Sequence, residues 1–209
     1  MFYAVDNFNF LKPFIENIDL IGDEFNSAKK EIPDLQAFLN AEKHFSLSHV
    51  YYWAIETMGK DDYYAEDDHR DEGVWAGFPL FKENFPIKSY DVKKHFPFTL
   101  SLIQNIPEVF FATYMRLSPQ GLISTHQHKL PNLIFHLSLV DNPGGSIMLC
   151  GNQQLNLTKK GDYALFDYRI PHSTKNNGLI DRINLVIDFR TEINREKLSI
   201  DPKSKIIKE

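Results

Sequence analysis

His126 and His128, two histidines separated by one residue, are the first positions at which this chain could do metal chemistry. On extended backbone, residues i and i+2 point to the same face, so both imidazoles could reach one ion. His172 follows a proline at the start of a later β-rich run, a position suited to complete the site from across the fold. Two or three neutral imidazoles with open coordination positions suit Fe(II), Zn(II) and similar borderline cations.

Arg182 stands ten positions after His172, at the start of the next β-rich run. Along 182–189, apolar residues alternate with a mixed set that includes this arginine. We expect the apolar side to pack under the N-terminal helices and the mixed side to face the interior. A guanidinium in such a pocket would match a carboxylate with two parallel hydrogen bonds. The alternative is that the histidines are unrelated residues near strand ends and that the arginine ends its strand in solvent.

The elements that must position these residues differ between the two halves of the chain. Apolar residues recur at helical spacing from residue 8 to about residue 39, where Pro13 and Pro33 mark divisions into short helices, and another short helix is predicted near 98–105. After Pro107 the pattern changes to short β-rich runs separated by turns. These runs are 109–117, 122–125, 133–140, 146–150, 154–157, 163–167, 172–175 and 182–189. Short strands with no long helix between them predict an antiparallel sandwich or barrel.

Composition and charge exclude several classes of protein. The formal net charge of −5 argues against a nucleic-acid partner bound through a basic surface. The single cysteine, Cys150, excludes an internal disulfide framework and a Cys-based zinc cluster. No apolar run approaches the roughly 20 residues needed to cross a bilayer, and the first residues lack the features of a signal peptide. We therefore expect a cytoplasmic protein that binds neither membranes nor nucleic acid.

The chain is expected to form a single domain over 1–209. Its parts would be a helical and irregular flank over 1–105, a catalytic core over 106–192 and a C-terminal tail over 193–209. An acidic segment, 61–72, interrupts the flank. A solvated loop is the favoured interpretation of this segment, and a lid over a pocket is the alternative.

Four segments of the β half together match a known pattern. They are 115–126, which leads to the first histidine, 133–139, 161–172 and 181–188. In order and spacing they resemble the aspartyl/asparaginyl β-hydroxylases, a family of Fe(II)/2-oxoglutarate-dependent oxygenases, and bacterial free-proline hydroxylases share this architecture. The resemblance covers roughly 97–189. It implies a mostly β, cupin-like double-stranded β-helix, or jelly roll, behind N-terminal helices.

The resemblance also implies roles for particular residues. His126 and His172 would hold Fe(II), Arg182 would bind the far carboxylate of the cosubstrate 2-oxoglutarate, and His136 would approach that cosubstrate from the facing strand. His128 stands where many oxygenases carry a carboxylate, and it would act either as a third metal ligand or as a contact for substrate. Ile134 stands where members of the family often carry an arginine. This difference affects how a carboxylate of the substrate or cosubstrate would be bound.

The activity implied is hydroxylation of a small-molecule or peptide substrate, either a free amino acid or an Asp/Asn-type side chain, with succinate and CO₂ as co-products. One alternative is a three-histidine metalloenzyme that does not use 2-oxoglutarate, either a zinc hydrolase or lyase or a cupin dioxygenase. The other is a non-catalytic jelly roll that binds a small acid or a protein partner.

Overall fold

Two antiparallel sheets face each other in this protein, and the chain passes back and forth between them. The computed structural model describes residues 1–42, 63–65, 71–84 and 86–207. The strands are β1 Tyr63–Ala65, β2 Trp75–Lys82, β3 Val109–Leu117, β4 Leu122–His128, β5 Asn132–Ser138, β6 Ser146–Cys150, β7 Gln153–Leu157, β8 Tyr163–Asp167, β9 His172–Asn176, β10 Arg182–Arg190 and β11 Lys205–Ile206. The helices are α1 Lys12–Glu16, α2 Ile18–Ala28, α3 Pro33–Leu39, α4 Val92–His95 and α5 Pro97–Gln104, with 3-10 turns at Val5–Asn7, Asn9–Leu11 and Arg195–Lys197.

Strands β3 to β10 form a jelly roll. One sheet has the order β2-β3-β10-β5-β8, and the other has the order β1-β4-β9-β6-β7-β11. Within these eight strands, successive strands alternate between the sheets except at the β6-β7 hairpin, which is the winding of a double-stranded β-helix. The predicted mostly β jelly roll is therefore confirmed. All eight predicted strands are present, and the largest change is β4, which extends to His128.

The helices cover the outer face of the five-stranded sheet. α2 is amphipathic and buries Ile21 and Phe25 against this sheet, where the Phe25 ring meets Tyr114 of β3 edge-on at 4.8 Å between centroids. Pro13 and Pro33 each lie in the first turn of a helix, where the missing N–H costs no hydrogen bond. The predicted division of this segment into short helices is confirmed.

Strand β10 shows how the alternating pattern divides between two cores. Its apolar residues pack in the outer core beneath the helices, and this set is Ile183, Leu185, Ile187 and Phe189. Val186 lies in the inner core between the sheets, with Ile134 of β5 and Phe166 of β8. Because side chains alternate along a strand, Arg182, which shares a face with Val186, also points between the sheets.

The sequence analysis did not predict β2, which lies in a segment interpreted as irregular. This strand pairs with β3 and forms the edge of the five-stranded sheet. Pro79 lies within it, and the pairing register shifts between Pro79 and Phe81. Proline cannot donate to a β ladder, so it is tolerated at edges and bulges, and β2 offers both. The prediction of irregular structure was wrong for this strand, because an edge strand with a shifted register tolerates a proline.

The C-terminal tail and part of the acidic segment also contain short strands. β11, in the C-terminal tail, adds a short strand beside β7. None of the helices in the described part of the chain has the length and apolar character that crossing a bilayer requires. Within the acidic segment 61–72, residues 63–65 form β1 and pair with β4, so the interpretation as a loop is wrong for them. Residues 61–62 and 66–70 lie outside the described residues, and the interpretation as a lid stays a prediction.

Candidate metal centre

Three histidines meet where β4 and β9 pair. His126 is directly opposite His172 in the antiparallel register, and their ring centroids are 4.3 Å apart. His128 lies two residues further along β4, and its ring centroid is 5.4 Å from that of His126. Each side chain offers one nitrogen, and these three nitrogens lie within 4.8 Å of one another. The structure therefore brings together the three histidines that the sequence singled out, at a spacing that one ion could bridge.

Backbone carbonyls fix the tautomers of two of these rings. The Nδ1 of His126 is 2.8 Å from the carbonyl oxygen of Ser124, and the Nδ1 of His172 is 2.8 Å from that of Ile170. A carbonyl oxygen only accepts, so each Nδ1 carries the proton and each Nε2 keeps a lone pair. This arrangement, in which one ring nitrogen donates to the protein and the other stays basic, is the one that metal-ligating histidines use.

Burial keeps the imidazoles neutral. It lowers the pKa of His128 from 6.5 to about 2, and a positive charge on the neighbouring histidines would lower it further. Burial likewise lowers the pKa of His172 to about 3, against a small opposing effect of its hydrogen bond to Ile170. Both side chains are therefore unprotonated at neutral pH. The neutral imidazole is the form that binds a metal.

Aromatic rings hold the histidine cluster from one side. The ring of His128 stacks on Tyr168 with 3.5 Å between centroids and 8° between planes. The same two residues are joined through the backbone, because the His128 N–H donates to the Tyr168 carbonyl. Phe166 lies 4.9 Å from the ring of His172. These contacts restrict ring rotation and surround the cluster with apolar surface.

Arg182 lies between the sheets and is only 2% exposed. Its Nη1 donates to the hydroxyl oxygens of Ser146 and Thr174, on the opposite sheet. Its Nε has no hydrogen-bond partner among the described residues, and no carboxylate in that part of the chain pairs with the guanidinium. Burial lowers the pKa of the guanidinium from 12.5 to about 10, which still leaves it charged at neutral pH. A buried cation without an anion is costly unless a ligand supplies one.

His136 lies between the metal histidines and Arg182. It is opposite Val186 in the β5-β10 register, so it faces the interior, and its ring stacks on Phe166 at 5.7 Å. Its Nδ1 is buried without a hydrogen-bond partner among the described residues. Burial, reinforced by the positive charge of Arg182, holds the pKa of this imidazole well below 6.5. A neutral imidazole with an unused nitrogen is therefore available to a molecule in this space.

Two anchors of Arg182 were missed in the sequence analysis. Thr174 lies two residues after His172 on the same face of β9, so the alternation rule used for β10 would have placed it in the interior. Ser146 lies on β6, whose register against β9 is not visible in the sequence. Among the remaining histidines, the His95 side chain lies 3.5 Å from a carboxylate oxygen of Glu31 at the end of α4, and His44, His49 and His69 lie outside the described residues.

The fold and the cluster together define a class, the cupin-type jelly rolls that carry a three-histidine site able to bind a metal. The family model for aspartyl/asparaginyl beta-hydroxylase matches residues 47–192, which is more than half of the chain. The chain therefore belongs to the aspartyl/asparaginyl β-hydroxylase family. Membership of a hydroxylase family indicates an enzyme and confirms the suspected resemblance.

Comparison with other proteins adds distant structural neighbours. The cupin domain of Cnp3 from Schizosaccharomyces pombe is 13% identical over 56% of this chain and 61% of that chain, with a TM-score of 0.38. A cupin domain of an XRE family transcriptional regulator from Enterobacter cloacae is 16% identical over 56% of this chain and 98% of that chain, also with a TM-score of 0.38. A predicted oxalate decarboxylase from Thermotoga maritima is 17% identical over 40% of this chain and 69% of that chain, with a TM-score of 0.35. Likeness this low carries no argument about function. A search of curated protein sequences finds no match.

Proposed function

We propose that this protein is an Fe(II)/2-oxoglutarate-dependent dioxygenase that hydroxylates a free amino acid or an Asp/Asn-type side chain. One observation carries the cosubstrate part of this proposal. Arg182 is a buried guanidinium without a carboxylate partner among the described residues, on the inner surface that also carries the metal histidines. A dicarboxylate that reaches from the metal to this guanidinium would supply the missing anion.

The histidine cluster suits Fe(II). Two rings present Nε2 lone pairs because their Nδ1 atoms donate to backbone carbonyls, and the third, His128, is held by stacking on Tyr168. Imidazole ligands with open positions beside them are typical of non-haem iron sites. Bound Fe(II) would supply the oxidative chemistry, in which 2-oxoglutarate and O₂ give succinate and CO₂ while the substrate gains a hydroxyl group.

The guanidinium of Arg182 is oriented for a bidentate contact. Its Nη1 donates to the hydroxyls of Ser146 and Thr174, whereas its buried Nε makes no hydrogen bond to the residues that the structure describes. Nε and Nη2 lie on one edge of the guanidinium plane, and the N–H groups of such an edge can donate to both oxygens of a carboxylate. The residues of this chain would thus bind one end of the cosubstrate, orient it toward the histidines and exclude water from around it.

The zinc hydrolase or lyase alternative shares the histidines but leaves Arg182 without a task. A three-histidine zinc site needs a water and a substrate at the metal, and it does not need a guanidinium buried at the opposite sheet. A non-catalytic binding module would use Arg182 but would not need the two fixed Nε2 lone pairs. The oxygenase hypothesis accounts for both features.

The substrate is proposed from the family and from the inner surface. Family membership supports hydroxylation of an amino acid or of an Asp/Asn-type side chain. Ile134, in place of the arginine that members often carry, is buried in the inner apolar core with Phe166 and Val186. This position therefore cannot form an ion pair with a substrate carboxylate. We favour a small-molecule substrate, and the test is a 16 Da mass increase in candidate amino acids and Asp- or Asn-containing peptides.

A spectroscopic titration tests the cofactors. Purified full-length protein is mixed anaerobically with Fe(II) and then with 2-oxoglutarate, and the visible charge-transfer band of a metal-chelated keto acid is followed. The wild-type protein should develop the band, and His172→Ala should not, because one metal ligand is lost. Admission of O₂ with substrate should then form succinate.

The alternatives give different results in the same experiment. A zinc hydrolase or lyase would retain zinc through purification and show no response to the keto acid, and a binding module would give no band with Fe(II) present. Either result in correctly folded wild-type protein would refute the proposal. Lys160→Ala serves as the control variant, since Lys160 forms a salt bridge with Asp19 on the surface and should leave the band unchanged.

A further inference from the structure

Asn184 is a buried asparagine beside Arg182 that no part of the proposed function uses. The two residues are separated by one position on β10 and therefore share the inner face of the sheet. In the register, Asn184 lies opposite Met115 of β3 and Ser138 of β5, so it occupies the middle of the sheet. Its side chain is completely buried.

Both polar atoms of this amide lack a partner. The Nδ2 and Oδ1 of Asn184 are buried and make no hydrogen bond to the described residues. Nearby hydroxyls do not satisfy them, since the Oγ of Ser138 donates to the Val140 carbonyl instead. Buried polar groups are almost always hydrogen-bonded, and an amide that is not indicates a water or a ligand. Asn132 shares this property, but it lies opposite Arg190, at the other end of β5.

Three buried nitrogens without a hydrogen-bond partner among the described residues lie on the same inner face of the five-stranded sheet. Asn184 Nδ2 and Arg182 Nε each have an N–H without an acceptor, and His136 Nδ1, one step along β5 from Ser138 on the same face, is also unused. The hydroxyls of Ser146 and Thr174 are not available to a ligand as donors, because they donate to the carbonyls of Lys175 and Ile147. Asn184 is therefore the neighbouring side chain on β10 whose N–H is available to an anion at Arg182.

We propose that Asn184 is a specificity-determining residue that donates its Nδ2–H to the distal carboxylate of the oxo acid bound by Arg182. This inference rests on the proposed function and deepens it, because it assigns a second residue to recognition of a dicarboxylate. The amide is neutral, so it adds a directional hydrogen bond without adding a second buried charge. A keto acid without the distal carboxylate would leave both Asn184 and Arg182 unsatisfied.

The test measures affinity for two keto acids with the same five-carbon chain. Fe(II)-loaded wild-type and Asn184→Leu proteins are titrated anaerobically with 2-oxoglutarate and with 2-oxopentanoate, which lacks the distal carboxylate, and the charge-transfer band gives each Kd. Leucine has nearly the shape of asparagine but no donor. The preference for 2-oxoglutarate over 2-oxopentanoate should fall at least tenfold, the usual effect of losing a hydrogen bond to a charged group.

Thermal unfolding of the metal-free proteins provides a second readout. Because the amide has no protein partner, Asn184→Leu should keep or raise the Tm while it weakens 2-oxoglutarate binding. Asn176 is the matched control, since it is also completely buried but makes hydrogen bonds through both amide atoms. Asn176→Leu should lower the Tm strongly. Asn184→Asp, which keeps the size and polarity of the side chain, should weaken 2-oxoglutarate binding further by repulsion.

The outcomes separate this inference from the proposed function. If the wild-type protein gives no band with 2-oxoglutarate, the proposed function fails and the inference falls with it. If the wild type binds 2-oxoglutarate and Asn184→Leu changes the preference by less than tenfold, only the inference is overturned. Equal weakening of both keto acids, or a large drop in Tm for Asn184→Leu, would give Asn184 a structural role and also overturn it.

Discussion

Replacement of Arg182 by methionine should separate ligand binding from stability. The guanidinium presents Nε and Nη2 to a carboxylate, and each hydrogen bond to a charged group contributes about 1.5–3 kcal/mol. Loss of both corresponds to a fall in 2-oxoglutarate affinity of about 10²–10⁴-fold. Fe(II) affinity should not change, because the proposed metal ligands lie on β4 and β9.

The same substitution should cost the metal-free protein little stability compared with its effect on ligand binding. Burial lowers the pKa of Arg182 from 12.5 to about 10. Because one pKa unit corresponds to about 1.4 kcal/mol, keeping the charged guanidinium in the interior costs about 3 kcal/mol of folding free energy. The two hydrogen bonds from the charged Nη1 to Ser146 and Thr174 offset it by about 1.5–3 kcal/mol each. The free energy of unfolding should therefore fall by no more than about 3 kcal/mol.

Two assays measure these effects: the anaerobic titration with Fe(II) and 2-oxoglutarate, and urea unfolding of the metal-free proteins. Two further variants should show smaller losses of affinity than Arg182→Met. Arg182→Lys keeps the charge but cannot form the bidentate contact, so affinity should fall about 10–100-fold. Thr174→Val removes one anchor of the guanidinium, and about 1 kcal/mol predicts a fall of about fivefold. If Arg182→Met bound 2-oxoglutarate within threefold of the wild type, the assignment of Arg182 to the cosubstrate would be refuted.

Three further predictions concern the metal ligands, pH and the helical layer. His128→Ala should lower Fe(II) affinity at least tenfold in a competition assay with a chelating dye, and an unchanged affinity would remove His128 from the metal site. In the metal-free folded protein, the pKa values of His128 and His172 are about 2 and about 3, whereas in the unfolded chain both are near 6.5. Below pH 6.5 the unfolded chain therefore binds protons that the folded protein does not bind. The free energy of unfolding should fall as the pH drops from 6.5 toward 3. The slope of the free energy of unfolding against pH should reach up to about 1.4 kcal/mol per pH unit for each of the two histidines. The slope should be smaller in His172→Gln, and urea titrations at several pH values measure it. Glu24 accepts hydrogen bonds from the N–H and the hydroxyl of Thr99 at the start of α5, so Glu24→Ala should lower the free energy of unfolding by about 1–3 kcal/mol in the same assay. The control is Asp19→Asn, which removes an exposed salt bridge and should change stability by less than about 1 kcal/mol.

Much of the fold was predictable because its signals are local. Turn residues between short apolar runs located all eight jelly-roll strands, and the period-two alternation along β10 placed Arg182 on the inner face. The strand that was missed, β2, contains Pro79, which is compatible with a strand only because β2 lies at an edge with a shifted register. Edge position is a property of the assembled sheet, and no local pattern encodes it.

The candidate site was predictable in its histidines and less so in what supports them. His126 and His128 share a face by spacing alone, whereas their meeting with His172 depends on the register between β4 and β9. Register also decides that Ser146, on β6, reaches Arg182. The fixed tautomers arise from backbone carbonyls two residues before the rings, which depend on local chain geometry that residue types do not reveal.

Asn176 and Asn184 show why the chemical role of a buried polar residue requires the structure. Both are completely buried, and the sequence gives no reason to separate them. The amide of Asn176 joins the Leu117 and Ile180 carbonyls and thereby fixes the turns at one end of the barrel. The amide of Asn184 has no such partner among the described residues, and it lies two positions from Arg182, whose Nε also has none there. Buried polar groups without hydrogen bonds make the ligand-free protein less stable than apolar side chains at the same positions would. A ligand with matching acceptors would form these hydrogen bonds, and the free energy gained would contribute to its affinity.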